Sequence, residues 1–524
     1  MPFTTVRRLL KNRAGLVAVT LLAASAALLA YAEPVDDAMI AKIKMEGFQR
    51  SKVMTTLSWL ADVYGPRLTG SPAARRAGEW AVGQLNEWGL KKVALESYGP
   101  TGRGWTAERF DLSMQSTQWT RLIGYPKAFS PSLAAPLTGT PIVVEVKSKD
   151  DFAKYRGKLR GAIVMNGRPD PKDIGFEPEA RRLTDAELAK QAAEQKPAPA
   201  GGDAPASYWD EEDDWLKSLD KQIEILKFFA AEGIGALVEP SATAEVVRVG
   251  GFYDHLWQPT FPGFVIAREQ YGRIVRMLDL KQPVTLSLSL TASFVDKADG
   301  FNVIAEIPGA DPSLAAEVVM LGGHFDSWHT GTGATDNGAG SAVAMEAVRI
   351  LTAIGAKPKR TIRLGLWTGE EQDYFGSMGY VMQHFGDPKT MALKAEHKTL
   401  SAYFNLDNGA GRIRGVNLQG NESARSIFEA WLRPFAYLGA STVTTLNTGG
   451  TDHMSFDAVG LPGFQFIQDP LNYESRTHHT NLDVYEEVVP ADLEQASVIL
   501  ASVVWHAANR DGLMPRKPLP SARK

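Results

Sequence analysis

The chain has 524 residues, 44% of them hydrophobic and 22% charged, with no cysteine and a formal net charge of −4. That length supports two or three domains with sizeable cores, and the acidic balance argues against nucleic acid as a main partner. Without cysteine there is no disulfide and no thiolate, so any metal must be held by His, Asp and Glu.

Arg7, Arg8, Lys11 and Arg13 precede an apolar run from Ala14 to Ala32 that ends in Ala30-Tyr31-Ala32 and is followed by Glu33. This is the pattern of a secretory signal over residues 1–32; the alternative is an uncleaved membrane anchor, disfavoured because Ala, Ser and Thr dilute the run. Its removal leaves 52 basic and 60 acidic residues, a net charge of −8.

From Pro34 to about Ser116, apolar residues at helical spacing predict a helix around Ile40 to Leu60. Gly65 to Pro72 interrupts it, and a second helix from Ala73 to Trp88 is closed by Gly89. Leu90 to Ser97 and Trp105 to Ser113 read as strands. Between Leu122 and Asp296, strand-like runs (Pro141 to Val146, Gly161 to Met165, Gly235 to Val238, Val284 to Leu290) alternate with a helix over Leu216 to Glu232. The Pro/Gly/Ala stretch from Lys196 to Ala206 and the acidic run Asp210 to Asp214 cannot bury a core, so a mobile surface insertion is expected about 168–215.

After Gly300 the β-branched pattern returns in Phe301 to Ile307 and Val318 to Leu321. The second of these empties into a loop with His324, Asp326, His329 and Asp336, and Asn337-Gly338 opens a helix to about Leu351. A Gly-rich loop before a helix could cradle phosphate. Here the sixth position of the pattern starting at Gly331-x-Gly333 is Asp336, which repels phosphate and welcomes a cation. A strand over Thr361 to Trp367 runs into Glu370-Glu371, and one over Ala402 to Leu406 ends in Asp407. Gly449 to His453 precedes a strand over Gly463 to Ile467, and the last cluster is Arg476 to Asp483.

His is scarce, nine in all, and five of them (His324, His329, His453, His478, His479) fall in these loops. Strand ends that repeatedly deliver His, Glu and Asp point to a metal site at the carboxyl edge of an α/β sheet.

Together, His324-x-Asp326, Thr335-Asp336-Asn337, Gly369-Glu370-Glu371, Asn405-Leu406-Asp407 and His478-His479-Thr480 resemble the co-catalytic dizinc exopeptidases, a family that includes bacterial leucyl aminopeptidases and carboxypeptidase Q. The doubled His looks more like the carboxypeptidase Q branch. The resemblance implies an α/β zinc-exopeptidase fold with a mixed central sheet flanked by helices, plus an inserted β-rich protease-associated domain. Its expected parts are catalytic residues 33–121 and 297–510, an insert at 122–296 and a basic, Pro-containing tail at 511–524.

The resemblance also implies two Zn²⁺ ions: His324 and Asp407 on one, Glu371 and His479 on the other, Asp336 between them. Glu370 would be the general base, and Asp326 would hydrogen-bond the His324 imidazole. His479 is preferred to His478 because Thr480 and Asp483 follow it as in the family. His478 then faces substrate or packs, and His453 either stabilises an oxyanion or is structural. Arg476 either binds a terminal carboxylate or pairs within its loop. His329 is expected exposed or at a pocket rim, and His255 structural or substrate-facing. The implied function is an exported, periplasmic or secreted, exopeptidase acting on peptides or dipeptides, an aminopeptidase or dipeptidase ahead of a carboxypeptidase. A glutaminyl cyclase-like acyltransferase and a non-catalytic binding protein stand behind these. A homodimer is compatible with this reading; nucleic acid and, once the signal is cleaved, stable membrane insertion are not expected.

Overall fold

The computed structural model describes residues 33–169, 176, 178–194, 208–242, 246–253 and 255–522. The expected signal at 1–32 and the stretch Lys196 to Ala206 lie outside the described residues. Among the described residues, no helix is long and apolar enough to cross a membrane.

The apolar runs assemble into one eight-stranded sheet: β1 (Lys91–Pro100), β2 (Asp299–Ile307), β3 (Val318–His324), β4 (Thr361–Trp367), β5 (Leu400–Asn405), β6 (Ile413–Asn417), β7 (Thr442–Thr444) and β8 (Gly463–Gln468). Their order is β1-β2-β4-β3-β5-β8-β6-β7. β4, β3, β5 and β8 run parallel at the centre; β1 and β2 pair antiparallel to their neighbours, and β6 is antiparallel to β8 and parallel to β7. This is the expected mixed sheet. β3 is buried along its whole length, because both faces are covered, and such strands read as continuous apolar runs.

Alternation then divides the core. Val319 and Leu321 join one cluster, with the helices Ala339–Ala353 and Pro490–Asn509, and Val318 and Met320 join the opposite one, with Trp367, Tyr380, Tyr403 and Phe456. Each fully buried Val, Leu or Phe of these layers is worth roughly 1.5–3 kcal/mol relative to an exposed one. Two glycines let neighbouring segments close in at this edge, β3 on β4 and the helix Ala339–Ala353 on the residue after β5. A Cβ on Gly322 would lie 1.8 Å from the Gly365 carbonyl, and one on Gly340 would lie 2.1 Å from that of Leu406.

The first expected helix divides into Asp37–Gln49 and Val53–Ser58, followed by a π-turn, Trp59–Val63. The restart is tertiary: the Lys52 amide donates to the buried carboxylate of Glu346, 294 residues away.

Two further sheets stand apart from the large one. Gly104–Gln115 pairs antiparallel with Thr285–Val295, flanked by Trp119–Arg121 and Leu137–Gly139. Gly124–Pro126, Gly263–Ile266, Ala236–Pro240, Ile163–Asn166 and Ile142–Val144 form the other. The long pairing joins segments on the two sides of position 121, where the sequence reading places a boundary; a partner so far along the chain leaves no local signal. The helix expected from Leu216 begins at Tyr208 and runs to Glu232, through the acidic run expected to be mobile.

Candidate metal centre

The four parallel strands end at one edge of the sheet, and each hands its following loop to the same point. β3 ends on His324 itself, and its loop continues to Asp336 in the turn before the helix Ala339–Ala353. β4 leads through Gly369, in a left-handed conformation, to the short turn Glu370–Gln372. β5 is followed by Asp407, and the chain beyond β8 brings His478 and His479.

Asp336 stands at the middle. His324 Nε2 lies 3.1 Å from its Oδ1, and His479 Nε2 lies 3.2 Å from its Oδ2. His324 Nε2 is also 3.5 Å from Asp407 Oδ1 and 4.0 Å from Glu370 Oε2. His479 Nε2 is 3.0 Å from Glu371 Oε2. His478 stands further off, 3.9 Å from Asp336 Oδ2, with its Nδ1 3.3 Å from Glu474 and its ring stacked on Tyr473. Both imidazoles of the pair therefore face Asp336, and His479 is the nearer.

Carboxylates outnumber cations in this small volume. Burial raises the Glu370 carboxyl well above its usual range, with Asp407, Asp452 and Glu371 adding to the effect and His324 opposing it. Burial also raises Glu371, partly offset by His479. Burial alone would lower His479, but Glu371 and Asp336 hold it up to about 10. Asp452, fully buried, is pushed up to about 8, first by burial. Asp336 Oδ2 and Glu371 Oε1 are buried without a hydrogen-bond partner among the described residues. Orphaned oxygens beside two imidazoles, with no sulfur donor, suit divalent cations of the zinc type.

Around the cluster lies a brace. His324 Nδ1 is 3.1 Å from the main-chain oxygen of Asp326 and 3.5 Å from its carboxylate, so the nearest acceptor is the backbone rather than the side chain. An Nδ1–H in that contact leaves the Nε2 lone pair turned toward Asp336 and Asp407. The Asp326 carboxylate instead accepts from Thr69 Oγ1 at 2.6 Å and from the Glu370 amide at 3.4 Å. Asp483 accepts from the Thr335 amide and hydroxyl at 2.6 and 2.8 Å and from the Asp336 amide at 3.3 Å. The fully buried Arg67 guanidinium donates to the carbonyls of Leu60, Phe325, Thr332 and Gly333, which shapes the loop.

A cavity of about 230 Å³ opens over the cluster, lined also by Trp215, Tyr253, Asp373, Tyr374 and Tyr473. Two expected substrate contacts stand off it. Arg476 Nε is engaged with Glu487 at 3.0 Å, and buried His453 is held by the Thr448 carbonyl at 2.9 Å and by Gln419. His329 is not an exposed rim residue: its Nε2 lies 2.7 Å from the Pro126 carbonyl, and burial lowers its pKa to about 4. Thr69, Asp452, Trp215, Tyr253 and Asp373 were not singled out as site residues. Asp452 had a signal, its place beside His453 in a loop of ligand types; Trp215 and Tyr253 had none, since they reach the cavity only through the fold.

A model of peptidase family M28 matches residues 302–504. Bovine carboxypeptidase Q is 31% identical over 479 residues, 91% of this chain and 89% of that protein. Among solved structures, a peptidase M28 precursor from Shewanella amazonensis superposes with a TM-score of 0.66 at 23% identity, covering 92% of this chain and 98% of that one. A zinc aminopeptidase from Bacillus subtilis gives 0.55 at 20% identity, covering 87% and 95%.

Proposed function

From the premise that this chain belongs to peptidase family M28 and is a metallo-exopeptidase, we propose an exported enzyme with two Zn²⁺ ions that removes residues from the amino end of peptides or splits dipeptides. His324 and Asp407 would hold one ion, Glu371 and His479 the other, and Asp336 would give one carboxylate oxygen to each. Bound there, the ions would supply Lewis-acid polarisation of the scissile carbonyl and a water that is nucleophilic near neutral pH.

The chain's own groups do the rest. Glu370 takes the proton of the attacking water and returns it to the leaving amine; general acid–base help of this kind is worth roughly 10²–10⁴-fold. Asp326 links Thr69, the Glu370 amide and the His324 loop, so the base and the first imidazole keep their spacing. Trp215 and Tyr253 form part of the cavity wall.

The observation that carries this reading is the position of Asp336, with one oxygen on each imidazole. Direction is argued from charge. Of the five carboxylates among the described lining residues, Asp336, Glu371 and Asp407 would be engaged by the ions and Glu370 in proton transfer, which leaves Asp373 to favour a free α-amine, and the described lining has no Lys or Arg to bind a terminal carboxylate. Likeness to bovine carboxypeptidase Q favours a second reading, removal of the carboxyl-terminal residue.

Aminoacyl amides, free dipeptides and N-acetylated dipeptides, each assayed with and without a chelator, separate the two. Cleavage of aminoacyl amides is expected. Cleavage of N-acetylated dipeptides with amides untouched would establish the carboxypeptidase, and chelator-insensitive turnover would remove the metal. Export predicts a mature chain beginning at Glu33, read by mass spectrometry of the secreted protein.

A further inference from the structure

Beyond Glu371 the backbone turns sharply. Asp373 and Tyr374 both adopt left-handed conformations, φ 89° and 57°, without being glycine. Strain of this kind persists where surrounding structure demands it. Here Asp373 lies in the walls of two cavities, the one over the cluster and a second of about 460 Å³.

The second cavity is mainly apolar. The helix Phe375–His384 presents Phe375, Met378, Gly379 and Met382 to it, the spacing of a single helical face. Opposite stands Tyr98, its hydroxyl 3.0 Å from the Thr368 carbonyl. A Cβ on Gly379 would lie 2.7 Å from Tyr98 Cβ, so this contact is as close as glycine allows. The ring of His255 meets Phe375 edge-on at 5.0 Å. Asp373, Asp387 and Lys389 are its charged members. Methionines make such a wall adaptable, since the unbranched thioether fills different shapes at little cost.

We infer that this cavity receives the residue released by cleavage and selects an apolar side chain there. The inference rests on the aminopeptidase or dipeptidase reading above. The cavity over the cluster carries Asp373 beyond the metal-holding and base residues and has no Lys or Arg in its described lining, so it takes the amino-terminal residue. The peptide then passes Asp373, the residue shared by both walls, and its next side chain meets Phe375, Met378 and Met382. Met382, 46% exposed, has apolar surface left for a ligand to cover.

The test is kcat/KM on the zinc-loaded full chain with the dipeptides Leu-Gly, Leu-Leu, Leu-Phe and Leu-Asp. The Leu-Phe to Leu-Gly ratio is expected at roughly 10–100, the range of discrimination an apolar pocket supplies, with Leu-Asp poorest. Met382→Asp, at a half-exposed position that tolerates charge, should bring that ratio close to one, and Met378→Ala should lower it in the same direction. A wild-type ratio near one overturns the pocket, as does a ratio retained in both variants. Failure to cleave any of the four removes the inference, together with the aminopeptidase or dipeptidase reading where aminoacyl amides are also untouched; cleavage of all four at equal rates leaves that reading standing and removes the pocket alone.

Discussion

The two imidazoles of the cluster are held in opposite ways. His324 ends a strand buried over its whole length; its side chain is 1% exposed, and its carbonyl accepts from Ser341 Oγ at 2.7 Å. His479 sits on a loop with φ 59°, and its side chain is 31% exposed. Its carbonyl accepts from the Val249 amide at 3.0 Å, and its neighbour Asn481 exchanges bonds with Val247. The sheet positions the first half; main-chain contacts with a segment more than two hundred residues away position the second. Half of a metal centre can thus depend on docking between parts of the chain that share no strand in the large sheet.

Asp336 serves both halves, so Asp336→Ala gives the largest expected effect. It should lower activity by at least about 10⁴-fold, past the reach of a general base alone, and reduce bound zinc in both halves. Zinc retained at two per chain would break the bridging assignment. Glu370→Gln should lower kcat by roughly 10²–10⁴-fold and leave zinc content unchanged, separating proton transfer from metal holding. Full activity in this variant would remove Glu370 from the mechanism.

Smaller changes address one half each. Asp326→Asn should weaken metal affinity or activity by roughly 10–100-fold through the carboxylate's bonds to Thr69 and the Glu370 amide. Asn481→Ala removes the acceptor of the Val247 amide, a 2.7 Å bond. Loss of one such bond, worth about 0.5–1.5 kcal/mol, should weaken the more labile ion by roughly 2–10-fold while the tighter one is unaffected. Competition titration with a chromophoric chelator resolves the two classes. Equal weakening of both would mean that the halves are not separately supported.

The smallest effect is on stability, where the β3 loop meets the separate sheets. His329 is half-buried beside the Pro126 carbonyl, and desolvation lowers it to about 4, below its ordinary 6.5. Between those values the unfolded chain binds a proton that the folded chain excludes. The His329 contribution is therefore intact above pH 6.5 and declines as pH falls toward 4, by at most about 1.4 kcal/mol per unit. Urea unfolding of wild type and His329→Gln at pH 7 and pH 5 reads the difference; parallel losses in the two proteins would exclude His329 as the source.

Much of this was legible before folding because the chemistry recurs at strand ends. β4 was placed from Thr361 to Trp367, and the helix after Asp336 was placed within about two residues, since buried parallel strands are continuous apolar runs. His324, Asp336, Glu370, Glu371, Asp407 and His479, named from spacing and resemblance, converge at one point. Arg476 and His453 were legible only as ligand types, and their partners, Glu487 and Gln419, come from loops that spacing does not relate to them.

The sequence by itself determined which residue types follow each strand and in what order, because those are local properties of a chain whose buried strands must be apolar and whose polar ends must face a common edge. Only the tertiary structure decided which oxygens face which nitrogens, that Trp215 and Tyr253 reach the cavity, and that Asp373 lines two cavities. These depend on contacts between segments hundreds of residues apart, and such contacts are set by packing, which leaves no period or motif in any one segment.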